Sequence, residues 1–296
     1  MTGSRLIDAA ELLVWRQQQL ARGGRAVDLD WLLDLGGGVP WTRLQRVLLD
    51  PMGPVAVQCD LESLAELWSR HLCSAEPLQH LVGLCPWRDL LLETTAAALI
   101  PRQETELLVD LALSCWKDQS PGCWADLGTG SGAMAVSLSR AWPAALGHAV
   151  DLSAEALQLA QRNLQALAPE HRCSLHLGSW WEPLRDVWGT LDLVVSNPPY
   201  IPRSLIPALD PVVRDHEPHL ALVGGDDGLD AIRILLENAT TALAPGGWLL
   251  LEHHHDQSQP VLALMADAGM VDVDWAADLE GIRRFARGRR RSDHDA

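Results

Sequence analysis

One lysine (Lys117), one phenylalanine and one tyrosine are all that this 296-residue chain contains of those types. Cations are scarce overall: 23 Lys and Arg stand against 39 Asp and Glu, a formal charge of −16. Neutralising nucleic-acid phosphates takes a surplus of Lys and Arg, so a dedicated duplex binder is not expected. The six cysteines (Cys59, Cys73, Cys85, Cys115, Cys123, Cys173) form no C-x-x-C pair and no regular spacing. That argues against a zinc site and a disulfide framework, and reduced, buried thiols are expected. No stretch approaches the roughly 18 uninterrupted apolar residues of a membrane span. Asp8, Glu11 and Arg16 break up the N-terminal apolar residues, unlike a signal peptide. A cytoplasmic protein without a membrane partner is the expectation.

Hydrophobic residues make up 48% of the chain, enough for a real core in one large or two unequal domains. Trp, at 13, far outnumbers Phe and Tyr, a bias that reads first as genome composition. Charge is unevenly spread. Before position 283, 37 acids face 17 bases; after it come Arg283, Arg284, Arg287, Arg289, Arg290 and Arg291, with only Asp293 and Asp295 against them. This tail reads as a solvated terminus.

Up to about residue 75, apolar residues recur at helical spacing: Leu12, Leu13, Trp15 and Leu20, then Trp31, Leu32 and Leu35, Leu44, Val47 and Leu48, and Leu61, Leu64, Leu67, Trp68 and Leu72. Asp28 and Asp60 read as N-caps, Pro40 as a first-turn residue and Gly36 to Gly38 as a stop. Residues 1–75 thus predict a small helical domain. Residues 76–100 read as a hairpin or linker around Gly83, Trp87 and Leu90 to Leu92. Within 101–296, helices predicted over 104–116, 133–142, 154–167 and 229–243 alternate with strands over 124–127, 146–150, 173–177, 191–196 and 248–252. Such alternation specifies an α/β fold with a doubly wound, mainly parallel sheet. Arg283 to Arg287 could add an edge strand.

In an open α/β sheet, ligands bind beyond the carboxyl ends of the strands. The first strand runs into Asp126-Leu127-Gly128-Thr129-Gly130-Ser131-Gly132, a G-x-G-x-G turn that satisfies neither the dinucleotide fingerprint nor the P-loop. Asp151 ends the second strand, where a carboxylate can accept both hydroxyls of a ribose. Trp180 and Trp181 follow the third, where an aromatic face can lie against an adenine. An adenosine-type cofactor without a pyrophosphate clamp is the reading of the three together. After the fourth strand comes Asn197-Pro198-Pro199-Tyr200. Asn197 Oδ1 and the Pro198 carbonyl would accept the two hydrogens of a planar –NH2 and aim its nitrogen at an electrophilic methyl group. Tyr200 could stack on the planar group. His253, His254 and His255, adjacent at a strand end, should point to opposite faces and make poor joint metal ligands, so no metal is expected.

These residues resemble the class I S-adenosylmethionine-dependent methyltransferases, and more narrowly the peptide chain release factor N5-glutamine methyltransferases (HemK/PrmC-like). Asn-Pro-Pro-Tyr alone is shared with amino-methyltransferases of DNA and ribosomal RNA. Leu99-Ile100-Pro101-Arg102-Gln103-Glu104-Thr105-Glu106 looks like the family's L-I-P-R-P-x-T-E segment. Arg214, Glu217, Pro218, Ala221, Leu222, Gly224, Gly225 and Gly228 resemble its R-x-x-E-P…A-L…G-x-x-G block. The resemblance implies a Rossmann-like methyltransferase domain behind an N-terminal helical domain that recognises the substrate. It implies S-adenosylmethionine as cofactor, with S-adenosylhomocysteine left as product. Gly128, Thr129, Gly130, Ser131 and Gly132 would surround the methionine part, Asp151 would hold the ribose, and Trp180 would contact the adenine. Asn197, Pro198, Pro199 and Tyr200 would hold the glutamine of the release factors' Gly-Gly-Gln motif, with Asn197 and Pro198 catalytic and Asn197 also beside the cofactor. Arg102 and Glu217 would shape the pocket or contact its contents. Gln103 and Ser179 depart from the family pattern. A monomer acting on release factors, with no direct nucleic-acid substrate, is expected. A nucleic-acid amino-methyltransferase and a non-catalytic cofactor-binding adaptor are the alternatives.

Overall fold

The computed structural model describes residues 5–116 and 119–292, so Lys117, Asp293 and Asp295 lie outside the described residues. The chain divides into two compact units, residues 1–84 with 211–216, and residues 85–210 with 217–296.

The first unit holds β1 (Arg5–Asp8), α1 (Ala9–Leu20), α2 (Ala26–Trp31), α3 (Trp41–Leu49), β2 (Pro54–Val57), α4 (Leu61–Ser74) and α5 (Leu78–Val82). Its core gathers the residues of the helical pattern, with Leu12, Leu32, Leu44, Leu64 and Trp68 fully buried. Each such aliphatic side chain withdrawn from water contributes about 2 kcal/mol. Asp60 caps α4 by accepting from Ser63 N at 2.7 Å. Asp28 is not a cap: it lies in the first turn of α2, whose N-cap is Arg25. The helical pattern also did not foresee that β1 and β2 pair antiparallel. Nor did it foresee α5 in the segment read as extended.

In the second unit a hairpin, β3 (Leu84–Trp87) with β4 (Leu90–Glu93), precedes α6 (Glu106–Ser114) and β5 (Cys123–Leu127). There follow α7 (Ala133–Ala141), β6 (Leu146–Asp151), α8 (Ala154–Leu167), β7 (Cys173–Leu177) and β8 (Leu191–Ser196). After α9 (Pro211–Arg214), which belongs to the first unit, come α10 (Asp230–Ala242), β9 (Leu243–Glu252), α11 (Ser258–Asp267), β10 (Val271–Ala277) and β11 (Arg283–Arg289). Among the described residues, seven strands form one sheet in the order β10-β11-β9-β8-β5-β6-β7, and of these β11 alone runs against the others. Helices α6, α7 and α8 bury Leu108, Val136 and Leu164 on one face; α10 and α11 bury Leu235 and Met265 on the other. β5 is buried along its whole length, as a parallel strand covered on both faces must be.

Two sequence expectations fail at the C-terminal end. Arg283 to Arg287 is not an edge strand but is inserted between β9 and β10, with Phe285 and Ala286 buried. The arginines there are not a solvated tail. Arg284, Arg287 and Arg289 pair with Asp278, Asp274 and Asp272 at 2.6, 3.1 and 2.7 Å, and Arg283 covers the Trp275 ring at 3.9 Å. Among the described residues no helix is long and apolar enough to cross a membrane.

Candidate active site

Strand order reverses between β5 and β8, and the carboxyl ends of these strands frame a crevice. Ser196 Oγ donates to Leu127 O at 2.6 Å and ties the two ends together. Beyond them lies a cavity of about 390 Å3, lined by Gly128, Thr129, Gly130, Ser131, Asp151, Trp180 and Asn197 among others. That size suits a small-molecule cofactor.

The glycine turn owes its shape to close approach. Gly132 opens α7 with φ +81°, and a Cβ there would stand 3.0 Å from the Cα and Cβ of Ala160 on α8. Gly128 and Thr129 both donate backbone N–H groups to Val150 O at 2.9 Å, locking the turn to the end of β6. One residue on, Asp151 joins it: Gly130 N donates to Oδ2 at 2.8 Å and Ser153 N to Oδ1 at 2.9 Å. Each oxygen keeps a further lone pair for a ligand. Burial raises the Asp151 pKa, and these backbone donors oppose the rise. Beneath the turn, Asp126 is fully buried and accepts from Thr129 Oγ1 at 2.7 Å. Burial pushes its pKa up to about 7; the Thr129 hydroxyl works against that and the Asp151 charge adds to it.

The two tryptophans separate. Trp180, held at φ +45°, lines the cavity, and its ring lies 3.3 Å from where a Gly128 Cβ would be. Trp181 turns into the core and donates its indole N–H to Leu235 O at 3.0 Å. Ser179 also lines the cavity.

Asn197 and Pro199 line the same cavity, whereas Gly132, Pro198 and Tyr200 do not. Tyr200 is tied back by its hydroxyl, which donates to Glu252 Oε1 at 3.0 Å, rather than free to stack. Burial and the Glu252 charge raise its pKa. The turn is held from behind. Gln257 Nε2 donates to Tyr200 O at 3.0 Å, and Ile201 exchanges backbone hydrogen bonds of 2.9 Å with Leu222 and Gly224. Side chains at Gly224 and Gly228 would strike the carbonyls of Pro199 and Tyr200 at 2.6 and 2.3 Å. The distant G-x-x-G block therefore exists to let the chain lie flat against the Asn-Pro-Pro-Tyr turn.

Arg102 and Glu217 form an ion pair at 2.7 Å, so each shapes the wall through the other. Thr105 and Gln257, which sequence reasoning left without a role, complete the site, and Glu252, which reads in the sequence as shaping the cleft, joins them. Thr105, inside the Leu99 to Glu106 segment, accepts from Asn197 Nδ2 at 3.1 Å and donates to Glu252 Oε2 at 2.6 Å. Burial raises the Glu252 pKa, and the hydroxyls of Thr105 and Tyr200 oppose that. Gln257 carried no signal in the sequence. The three histidines do not alternate as expected, because β9 ends at Glu252 and they lie in the following turn. His253 is buried, while His254, His255 and Asp256 bring ligand atoms within 4.8 Å of one another. Inward and outward alternation holds only while the backbone stays extended.

The Methyltransferase small domain family matches residues 104–205. Among curated relatives, a release factor glutamine methyltransferase of Prochlorococcus marinus is 54% identical over 287 residues, covering 96% of this chain and 98% of that protein. One of the same name from Synechocystis is 40% identical, covering 93% of each. A methyltransferase structure from Pyrococcus furiosus, 19% identical, aligns with a TM-score of 0.50 over 68% of this chain and 88% of its own, a likeness of fold.

Proposed function

Because the chain belongs to the release factor glutamine methyltransferase family, we propose that it methylates the side-chain amide nitrogen (N5) of the Gly-Gly-Gln glutamine in peptide chain release factors, with S-adenosylmethionine as methyl donor. The observation that carries this reading is one cavity walled both by the glycine turn with Asp151 and by Asn197. A cofactor-binding wall and an amide-binding wall facing a common space are what methyl transfer to an amide requires.

The residues fit an adenosyl cofactor. Asp151 offers spare acceptor capacity for ribose hydroxyls, Trp180 an aromatic face for adenine, and Gly128 to Ser131 exposed backbone beside the cavity. When bound, S-adenosylmethionine supplies an electrophilic methyl group. An amide nitrogen is a poor nucleophile because its lone pair is conjugated into the carbonyl. Asn197 Oδ1, at the cavity wall, and the carbonyl of Pro198, next in the chain but outside the cavity lining, would accept the two N–H hydrogens, orient the nitrogen and stabilise positive charge developing on it. The two prolines hold that turn with fixed φ angles and no backbone donors to compete for the acceptors. Residues 1–84 with 211–216 supply recognition of the folded release factor.

The test is incubation of the purified chain with labelled S-adenosylmethionine and release factors, followed by mass spectrometry of the Gly-Gly-Gln peptide. One methyl group in place of a hydrogen on that glutamine, a net gain of CH2, is expected. An unmodified glutamine, or label on ribosomal RNA or DNA instead, would overturn the reading.

A further inference from the structure

An asparagine amide has two ends of opposite character: Oδ1 accepts and Nδ2 donates. Only Oδ1 can receive a hydrogen from a substrate –NH2, so a half-turn of the amide would abolish its use. In this structure Nδ2 is engaged, donating to Thr105 Oγ1 at 3.1 Å. The Thr105 hydroxyl has a single proton, which goes to Glu252 Oε2 at 2.6 Å, while Tyr200 occupies Glu252 Oε1 at 3.0 Å. Thr105 is 6% exposed and Glu252 1%, and the bond between them is buried from bulk water. Both hydroxyls donate to Glu252, and these two hydrogen bonds favour its ionised form against the upward push of burial. As a carboxylate Glu252 can only accept; in that form the Thr105 proton is committed to it, and the remaining Thr105 lone pairs are met by an N–H.

We propose that Thr105 and Glu252 are positioning residues that fix the polarity of the Asn197 amide, holding Nδ2 inward so that Oδ1 faces the substrate nitrogen. The inference rests on the reading above, in which Asn197 accepts from the substrate amide. Neither residue need touch the reacting atoms. Glu252 acts through Thr105, and Thr105 through Asn197.

The test compares Thr105→Val, which keeps the shape and removes the hydroxyl, with Thr105→Ser, which restores it. In the full-length chain acting on a release factor, Thr105→Val is expected to lower kcat about 20-fold. KM for the release factor and Kd for S-adenosylhomocysteine, by calorimetry, should stay within about twofold of wild type, since positioning acts on the transition state. Thr105→Ser is expected to recover kcat to within about threefold of wild type. A Thr105→Val enzyme as fast as wild type, or a Thr105→Ser enzyme as slow as Thr105→Val, overturns the proposal. If Thr105→Val shows no cooperative thermal transition, Thr105→Ala takes its place against Thr105→Ser. A second readout needs no turnover. The side-chain amide protons of Asn197, assigned by their loss in Asn197→Ala, should exchange slowly with solvent in wild type and faster in Thr105→Val. If wild type fails to methylate release factors, the proposed function falls and the exchange rates alone decide the relay, equal rates in the two proteins rejecting it.

Discussion

Arg102 Nη2 donates to Glu217 Oε1 at 2.7 Å across 115 positions of sequence, while Ile100 N donates to the other carboxylate oxygen at 3.1 Å. The Glu217 side chain is wholly buried and that of Arg102 about one third exposed. Removing the guanidinium strands a buried carboxylate, whereas removing both charges leaves no buried charge unpaired. Arg102→Ala is therefore expected to lower stability by about 2 kcal/mol, and Arg102→Met with Glu217→Gln by clearly less. Urea denaturation of the three proteins checks this, and equal losses would contradict it.

The proposed roles give Asn197 and Asp151 different signatures. Asn197→Ala should reduce kcat on the order of 100-fold or more, the scale for losing a preorganised group at a developing charge. Its affinity for S-adenosylmethionine should change little. Asp151→Ala should weaken that affinity by about tenfold to hundredfold, since charged hydrogen bonds to the ribose are lost. Calorimetry beside steady-state kinetics separates the two, and the reverse pattern would refute the roles.

Asp126 predicts a pH dependence of stability. With its pKa raised from the ordinary 3.8 to about 7, chiefly by burial, the folded state holds this proton more tightly than the unfolded chain does. The stabilisation from that proton is complete below about pH 4 and is lost as pH rises through about 7. Asp126→Asn cannot ionise. Its melting temperature should be close to wild type below about pH 4, and the gap should open through pH 5 and 6 to several degrees above wild type at pH 8, by scanning calorimetry. A gap independent of pH would show that folding leaves the Asp126 pKa unshifted.

Two glycines with nearly the same φ but different surroundings separate conformation from contact. Gly132 (φ +81°) has Ala160 at 3.0 Å from a notional Cβ, while Gly189 (φ +80°) has open space. Gly189→Ala should cost about 1 kcal/mol, the left-handed penalty alone. Gly132→Ala should cost roughly 1 to 2 kcal/mol more, because α7 and α8 must separate. Thermal denaturation of both measures the difference.

The parallel strands of the sheet were legible because burial on both faces writes them as unbroken apolar runs such as Leu193-Val194-Val195. β10 was not. Val271-Asp272-Val273-Asp274-Trp275 interleaves aspartates with apolar residues and sits at the sheet margin, where one side meets solvent. The arginines of β11 looked like a basic tail because their partners are on another strand. Only the antiparallel register, with Asp274 opposite Arg287, shows that the two charge sets neutralise each other.

Local pattern was enough to order β5 to β9 with α6, α7, α8 and α10, and to place the candidate groups, the glycine turn, Asp151, Trp180 and Asn197, at or just after strand ends. These depend on local spacing and side-chain type. Tertiary structure decided what those groups present to a ligand. Asn197 meets Thr105 over 92 positions and Thr105 meets Glu252 over 147, so the direction of the Asn197 amide is set by a hydroxyl and a carboxylate far away in the chain. Hydrogen-bond polarity depends on which donors and acceptors folding brings within about 3 Å, and linear order does not encode that proximity.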